Sequence, residues 1–164
     1  MGTEKVALVM GAGAGTGRAT AVAFCRAGAD VVVADINEEG GSETLEIIKE
    51  QGGNGIFVRA DMGSAGDIQN VIAETRREFG QLHMVSNNAA MGAPNKPVTD
   101  LTEEEWDRCM GVTLKGVWLC MKYQLPLIEE SGGGAIVNIA SVSGIRGEAF
   151  QSAYAAAKGG VINL

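Results

Sequence analysis

Short apolar runs alternate with longer amphipathic stretches along the chain, and that alternation predicts strand and helix in turn. Residues 5–10 (KVALVM) form a first strand that stops at a glycine cluster, and 18–27 follow as an alanine-rich helix. Residues 30–35 (DVVVAD) are a second strand, and 38–51 have helical composition ended by Gly52 and Gly53. A third strand at 56–58 ends near Asp61. The helix predicted over 64–79 carries Ile68, Val71, Ile72 and Phe79 at helical spacing and stops at Gly80. Residues 82–86 make a fourth strand, followed by a loop with Pro94 and Pro97. Thr102 then caps a helix, with Glu105 placed for a capping box and Trp106 and Met110 on one face. Residues 112–129 read as a longer helix in which Gly111 and Gly116 cost propensity and Pro126 marks a bend or an early end. After three glycines at 132–134 come a fifth strand, 135–140, and a helix from 153 that the end of the sequence cuts at Leu164.

Strands this uniformly apolar are buried on both faces, so the pattern predicts an α/β fold with a doubly wound, mostly parallel sheet in three α/β/α layers. The length of 164 residues fits a single dinucleotide-binding domain over 1–164. Charge narrows the partners: 20 acidic against 13 basic residues give a net −7, which disfavours nucleic acid. No apolar stretch reaches membrane-spanning length, and the N-terminus shows no secretory pattern, so a cytoplasmic protein without a membrane partner is expected. Gly2 is not read as a myristoylation site, because position 6 is Val. Cys25, Cys109 and Cys120 form no Cys-x-x-Cys pair and read as reduced, structural thiols. No cluster has metal-ligand spacing: Glu103, Glu104 and Glu105 open a helix, where acids are favoured, and His83 is remote from the expected site.

Two groups of residues carry candidate chemistry. Residues 11–17 (GAGAGTG) lie between the first strand and the first helix, where glycines permit a tight turn and let a pyrophosphate approach the helix N-terminus. The plain alternative is a flexible turn. Asp35 ends the second strand 18 residues beyond Gly17, placed to accept the ribose hydroxyls of NAD and to repel the extra phosphate of NADP. It is also the sort of acid that ends a strand for solubility, and Arg18 is the one nearby base that could receive a 2′-phosphate. The second group is Ser141, Tyr154 and Lys158. Tyr154 and Lys158 are four apart and share a helix face, and Ser141 leaves the fifth strand at its ligand-binding end. An ammonium beside a phenol favours the phenolate, which can take an alcohol proton as hydride passes to a nicotinamide. The same spacing occurs in ordinary helices with no such role.

Together these residues resemble the short-chain dehydrogenase/reductase family, of the alcohol and hydroxysteroid dehydrogenase type. Gly11, Gly15 and Gly17, with Gly13 and Thr16 among them, look like its cofactor loop, although Met10 precedes it where Thr is usual. The resemblance implies cofactor contacts from Asp35 and Ile36, from Asp61 and Met62 at the adenine, and from Asn88, Ala89 and Ala90. The last three belong to a segment, 87–90 (NNAA), in which Ala90 replaces a glycine and Asn87 braces the sheet. It implies that Tyr154 is the general acid/base, that Lys158 assists it, that both also touch the cofactor, and that Ser141 holds the substrate oxygen. Thr113 stands where a fourth catalytic residue, Asn, is usual, and its backbone carbonyl is expected to bind a water that links Lys158 to solvent.

The implied activity is NAD-dependent interconversion of a secondary alcohol and a ketone by a homo-oligomer, a homotetramer by the family pattern. Residues 93–98 and 143–150 border the expected pocket and suit a small uncharged substrate. An NADPH-dependent 3-oxoacyl-type ketoreductase and a non-catalytic nucleotide-binding or oligomerisation module are the alternatives. The resemblance is read as covering only the N-terminal two thirds of the family fold. The sheet would then be truncated after its fifth strand and the start of a sixth helix, leaving strand five an exposed edge.

Overall fold

A computed structural model describes residues 5–164. The four residues before Lys5, on which the readings of the N-terminus and of Gly2 rest, lie outside the described residues. Five strands, β1 (Val6–Met10), β2 (Asp30–Asp35), β3 (Gly55–Arg59), β4 (Met84–Asn87) and β5 (Ala135–Asn138), pair in parallel in the order β3-β2-β1-β4-β5. The connections are α1 (Gly15–Arg26), α2 (Glu38–Glu50), α3 (Ala65–Phe79), α4 (Glu103–Met110) and α5 (Gly116–Glu130), with α6 (Ser152–Ile162) after β5. A π-helical turn, Gly111–Lys115, joins α4 to α5, and a 3₁₀ turn, Val142–Gly144, follows β5.

The two-residue period of β1 explains its unbroken hydrophobicity. Val6, Leu8 and Met10 pack with Ile68 and Val71 of α3, Val117 and Leu127 of α5 and Val161 of α6. Val9 points the other way, into Ala21 and Cys25 of α1 and Ile48 of α2. Every residue of β1 is buried, because helices cover both faces. Among the described residues no helix is long and apolar enough to cross a membrane. Cys25, Cys109 and Cys120 are free and buried, and burial pushes the Cys120 thiol up to about 12.

Several expectations are corrected. The sixth helix is formed rather than only started. Helix α6 runs 11 residues, and after it the Asn163 N–H donates to the Gly160 carbonyl at 3.1 Å and its side-chain amide to the Gly159 carbonyl at 2.8 Å. Helix α1 begins at Gly15 rather than 18, since Arg18 N–H already donates to the Ala14 carbonyl at 3.1 Å. The expected helix over 112–129 is instead the π turn and α5, continuous with α4, and Pro126 lies inside α5 without ending it. Leu127 and Ile128 beyond the proline are buried, and that burial offsets the lost backbone bond. Gly116 is matched to its place, for a Cβ there would lie 2.5 Å from the Met62 carbonyl oxygen. Strand β5 ends at Asn138, not 140, although Ile139 N–H still donates to the Asn87 carbonyl at 3.0 Å.

At the opposite end of the sheet, His83 Nδ1 accepts the Val6 N–H at 3.1 Å, so its proton sits on Nε2. Burial, and then the nearby Lys5 charge, hold its pKa below the ordinary histidine value. The unfolded chain therefore binds this proton more readily than the folded one. The stability at stake is fully present above the ordinary value, about pH 6.5, and is lost as pH falls through the lower folded value. Thermal melts followed by circular dichroism are expected to show the midpoint falling on acidification below about pH 6.5, with a slope of at most about 1.4 kcal/mol per pH unit from this group. His83→Gln flattens that slope, and an unaltered slope assigns it to other groups.

Candidate active site

The chain leaves β1 at Met10 through a loop shaped by close contacts. Gly11 stands at φ +80°, and a Cβ on it would lie 2.6 Å from the Ala89 nitrogen. A Cβ on Gly17 would lie 1.9 Å from the Gly11 carbonyl oxygen, so α1 sits on the loop at a distance only glycine allows. Gly15 is the opposite case: at φ +53°, its Cβ position has nothing within 4 Å. Asn37, Ser64 and Thr102 cap α2, α3 and α4 with their side chains, whereas the start of α1, at Gly15, Thr16 and Gly17, has no side-chain cap. Backbone N–H groups beside open space are the arrangement in which a helix N-terminus receives an anion.

A cleft of about 830 Å³ opens beside this loop, lined by Gly11, Asp35, Ile36, Asp61, Met62, Ala89 and Ala90 among others. Asp35 is fixed at its rim: one carboxylate oxygen accepts Gly13 N–H at 2.7 Å and the other accepts Asn37 N–H at 2.8 Å. The Asp61 carboxylate accepts Gly63 N–H at 2.7 Å, and its own N–H donates to Asp67 at 2.9 Å. That bond, followed by one from Ser64, holds the Asp67 carboxyl below its usual range. Asn88 lies behind the loop, its side chain donating to the Gly11 carbonyl at 3.1 Å. The far wall adds Glu103, Glu104 and Asp107 against a single base, Arg108, so the cleft is strongly acidic. Arg18 does not turn toward it. Its guanidinium donates to the carbonyls of Gly13 at 2.5 Å and Gly40 at 3.2 Å, to Thr44 at 2.9 Å and to Glu43 at 2.8 Å.

Ser141 lies just beyond β5, and Tyr154 and Lys158 lie on α6. Ser141 caps the 3₁₀ turn, accepting Ser143 N–H at 3.2 Å. Helix α6 rests directly on that turn: a Cβ on Gly144 would lie 2.6 Å from the Lys158 carbonyl carbon. Lys158 is only 2% exposed, and burial lowers its pKa from the ordinary lysine value by penalising the ammonium. Its amine donates to the Ile139 carbonyl at 2.5 Å and lies 5.8 Å from the centre of the Tyr154 ring. These residues share the carboxyl edge of the sheet with the cleft but do not line it. On this side the cleft is bounded by Met91 and Val112.

Thr113 enters by a route that sequence reasoning missed. It is fully buried in the π turn, where its hydroxyl accepts Met91 N–H at 2.9 Å and donates to the Met91 carbonyl at 2.8 Å. Cys109, one helical turn earlier, donates its thiol to the same carbonyl at 3.2 Å. The side chain of Thr113 therefore clamps the chain just after Ala90, whereas the expectation concerned its backbone carbonyl. Nothing in the residue types signals Cys109, but the Ser-x-Ser spacing of Ser141 and Ser143 was available as a sign of the second serine. Among the described residues no group of three or more His, Cys, Asp or Glu side chains is placed to hold a metal.

Residues 5–164 match the family model described as short chain dehydrogenase. Short chain dehydrogenase/reductase astE of Aspergillus oryzae is 41% identical over 162 residues, covering 98% of this chain and 62% of that protein. Cyclohexanol dehydrogenase of Acinetobacter sp. is 38% identical over 161 residues, covering 98% of this chain and 64% of that protein. The crystal structure of levodione reductase is similar with a TM-score of 0.94 at 34% identity, covering 98% of this chain and 63% of that one. The chain thus spans 62% and 64% of the length of these two curated relatives. The likeness was expected to be that of a two-thirds fragment with a truncated sheet. That expectation is corrected in its extent within this chain: the family match and the superposition take in nearly all of its residues, α6 included. The chain belongs to the short chain dehydrogenase family of oxidoreductases.

Proposed function

We propose that this chain serves an NAD-dependent oxidoreductase that interconverts a small, uncharged secondary alcohol and its ketone. The observation that carries the reading is the buried Lys158, its amine 5.8 Å from the centre of the Tyr154 ring. A positive charge held there stabilises the phenolate that forms when Tyr154 acts as general base, and Tyr154 returns the proton in the opposite direction. Ser141 meets the substrate oxygen. A bound nicotinamide supplies the hydride acceptor for oxidation and the donor for reduction.

The residues present fit such a cofactor. The open space at Gly15 and the uncapped N–H groups at Thr16 and Gly17 suit a pyrophosphate, with Gly11 and Gly13 shaping the approach. Asp35, presented by two backbone N–H groups, is the acceptor for ribose hydroxyls, with Ile36 beside it. Asp61 and Met62 take the adenine side, and Asn88, Ala89 and Ala90 the ribose near β4. The acidic wall and the committed Arg18 favour NAD over NADP, since neither offers a partner for a 2′-phosphate. In this reading Thr113 acts through Met91. The substrate class rests on the exposed apolar Val142, Ile145 and Phe150 in the segment that follows Ser141, and suits an alicyclic alcohol such as cyclohexanol.

The enzyme acts in the cytoplasm as a homo-oligomer, a tetramer by the family pattern. Free buried thiols and the exposed apolar face of α5, with Trp118 and Leu125, support this.

Calorimetry is expected to show NAD bound roughly 10- to 100-fold more tightly than NADP, the range set by like-charge repulsion at a screened surface. Asp35→Ser narrows the gap, and equal binding of both cofactors by the parent chain sinks the NAD assignment. With cyclohexanol and NAD, Tyr154→Phe lowers turnover by about 10²- to 10⁴-fold, the usual contribution of a general base, while NAD affinity stays within about threefold. Cofactor binding with no turnover by the parent chain over a panel of cyclic alcohols would favour the nucleotide-binding module instead.

A further inference from the structure

The hydroxyl of Ser141 belongs to a chain of hydrogen bonds with a fixed direction. Its oxygen accepts Ser143 N–H at 3.2 Å, and its proton goes to the Ser143 hydroxyl at 3.3 Å. Ser143, which is buried, donates in turn to Glu148 Oε2 at 2.9 Å. Glu148 is exposed, but its backbone is held, because its carbonyl accepts the N–H of Gln151, the residue that precedes α6, at 3.2 Å. Gln151 is tied in turn to Asn95 at 2.7 Å.

An ionised carboxylate can only accept, and each serine has one proton to give. Ser143 therefore donates to Glu148, its oxygen is left to accept, and the Ser141 proton turns toward it. The direction of the whole chain is set from the Glu148 end. An alcohol tolerates this, because a hydroxyl can donate to the remaining lone pair of Ser141. A ketone oxygen only accepts. It gains nothing from Ser141 until the bond to Ser143 is broken.

We propose that Ser143 and Glu148 are positioning residues that hold the Ser141 proton away from the substrate, so that the site binds the ketone more weakly than the alcohol. This rests on the function proposed above, and it gives that site a ground-state bias toward taking up alcohol and releasing ketone. Replacing Glu148 by Gln supplies an amide N–H that can donate to Ser143, which lets both serines reverse and Ser141 donate to a carbonyl. Removing the Ser143 hydroxyl frees the Ser141 proton by a different route.

The test measures dissociation constants by ligand-observed NMR for two non-reacting pairs, cyclohexanone with NAD and cyclohexanol with NADH. Glu148→Gln and Ser143→Ala are each expected to tighten cyclohexanone by about 3- to 10-fold, the worth of one neutral hydrogen bond, and to leave cyclohexanol within about twofold. Glu148→Asp, which keeps the charge, restores the original ratio. A tighter fit for one ligand is not what structural damage produces. Equal weakening of both ligands, or an unchanged ratio in the exposed-site variant Glu148→Gln, overturns the inference and leaves the proposed function standing. Failure of the parent chain to bind NAD and either ring compound overturns both.

Discussion

Strand β1 is hydrogen-bonded on both sides, and the position of every candidate group follows from that. The chain builds outward from β1 to β2 and β3, then returns past β1 to add β4 and β5 on the other side. Its loops leave in opposite directions at the point where the order reverses, and a crevice opens between them. Register makes the crevice level. Met10 is paired with Ala34 in β2 and with Asn87 in β4, and Asn87 is paired with Asn138 in β5. Gly11, Asp35, Asn88 and Ile139 therefore leave the sheet within one layer. A slip of one residue in any pair would turn a buried face outward, so the hydrophobic cores on the two faces also hold the site in alignment.

Beneath that edge lies a polar layer that is fully satisfied. The Asn87 side chain exchanges hydrogen bonds with Gln124 of α5 at 3.1 and 2.8 Å and donates to Asn138 at 2.9 Å. Among the described residues no buried side-chain nitrogen or oxygen lacks a partner. A buried amide network is costly when incomplete and rigid when complete. Here it fastens β4 to β5 and to α5, and the backbone carbonyl of Asn87 then holds Ile139 N–H. Since the Ile139 carbonyl is also the acceptor for Lys158, the amine beside Tyr154 is tied to β4 through a single residue. That anchor partly offsets the cost of placing an ammonium where it is 2% exposed.

The strands were legible because burial on both faces leaves little choice of residue: β1, apolar throughout, and β2, apolar between its two terminal aspartates, were found within one residue of their ends. The glycine loop was legible for a related reason, since contacts as short as that of Gly17 with Gly11 exclude any side chain. What escaped depends on partners distant in sequence. The π turn at Gly111–Lys115 has no local signature, and its fully buried Thr113 finds its partner at Met91, 22 residues earlier. Pro126 argued for an early end to a helix that tertiary packing carries on to Glu130. Arg18 looked like a free base beside the glycines because its four acceptors, spread over Gly13, Gly40, Glu43 and Thr44, become neighbours only when α2 packs on α1.

Arg18 also shows how packing contributes to chemical choice. A guanidinium next to a phosphate-sized opening would draw a doubly charged group toward the rim of the cleft. By tying it to Glu43 and to the carbonyls of Gly13 and Gly40, the fold takes that charge out of play and uses it to fasten the loop to α2. Asp35 works in the same direction from the opposite side, since its bond to Gly13 N–H fixes the loop while its charge repels anions. One positive and one negative side chain thus hold the two ends of a single peptide segment, and both leave the rim negative. Mutating either for its charge would also loosen the loop. A change of cofactor preference built on this scaffold therefore needs a new base elsewhere on the rim, with Arg18 left in place.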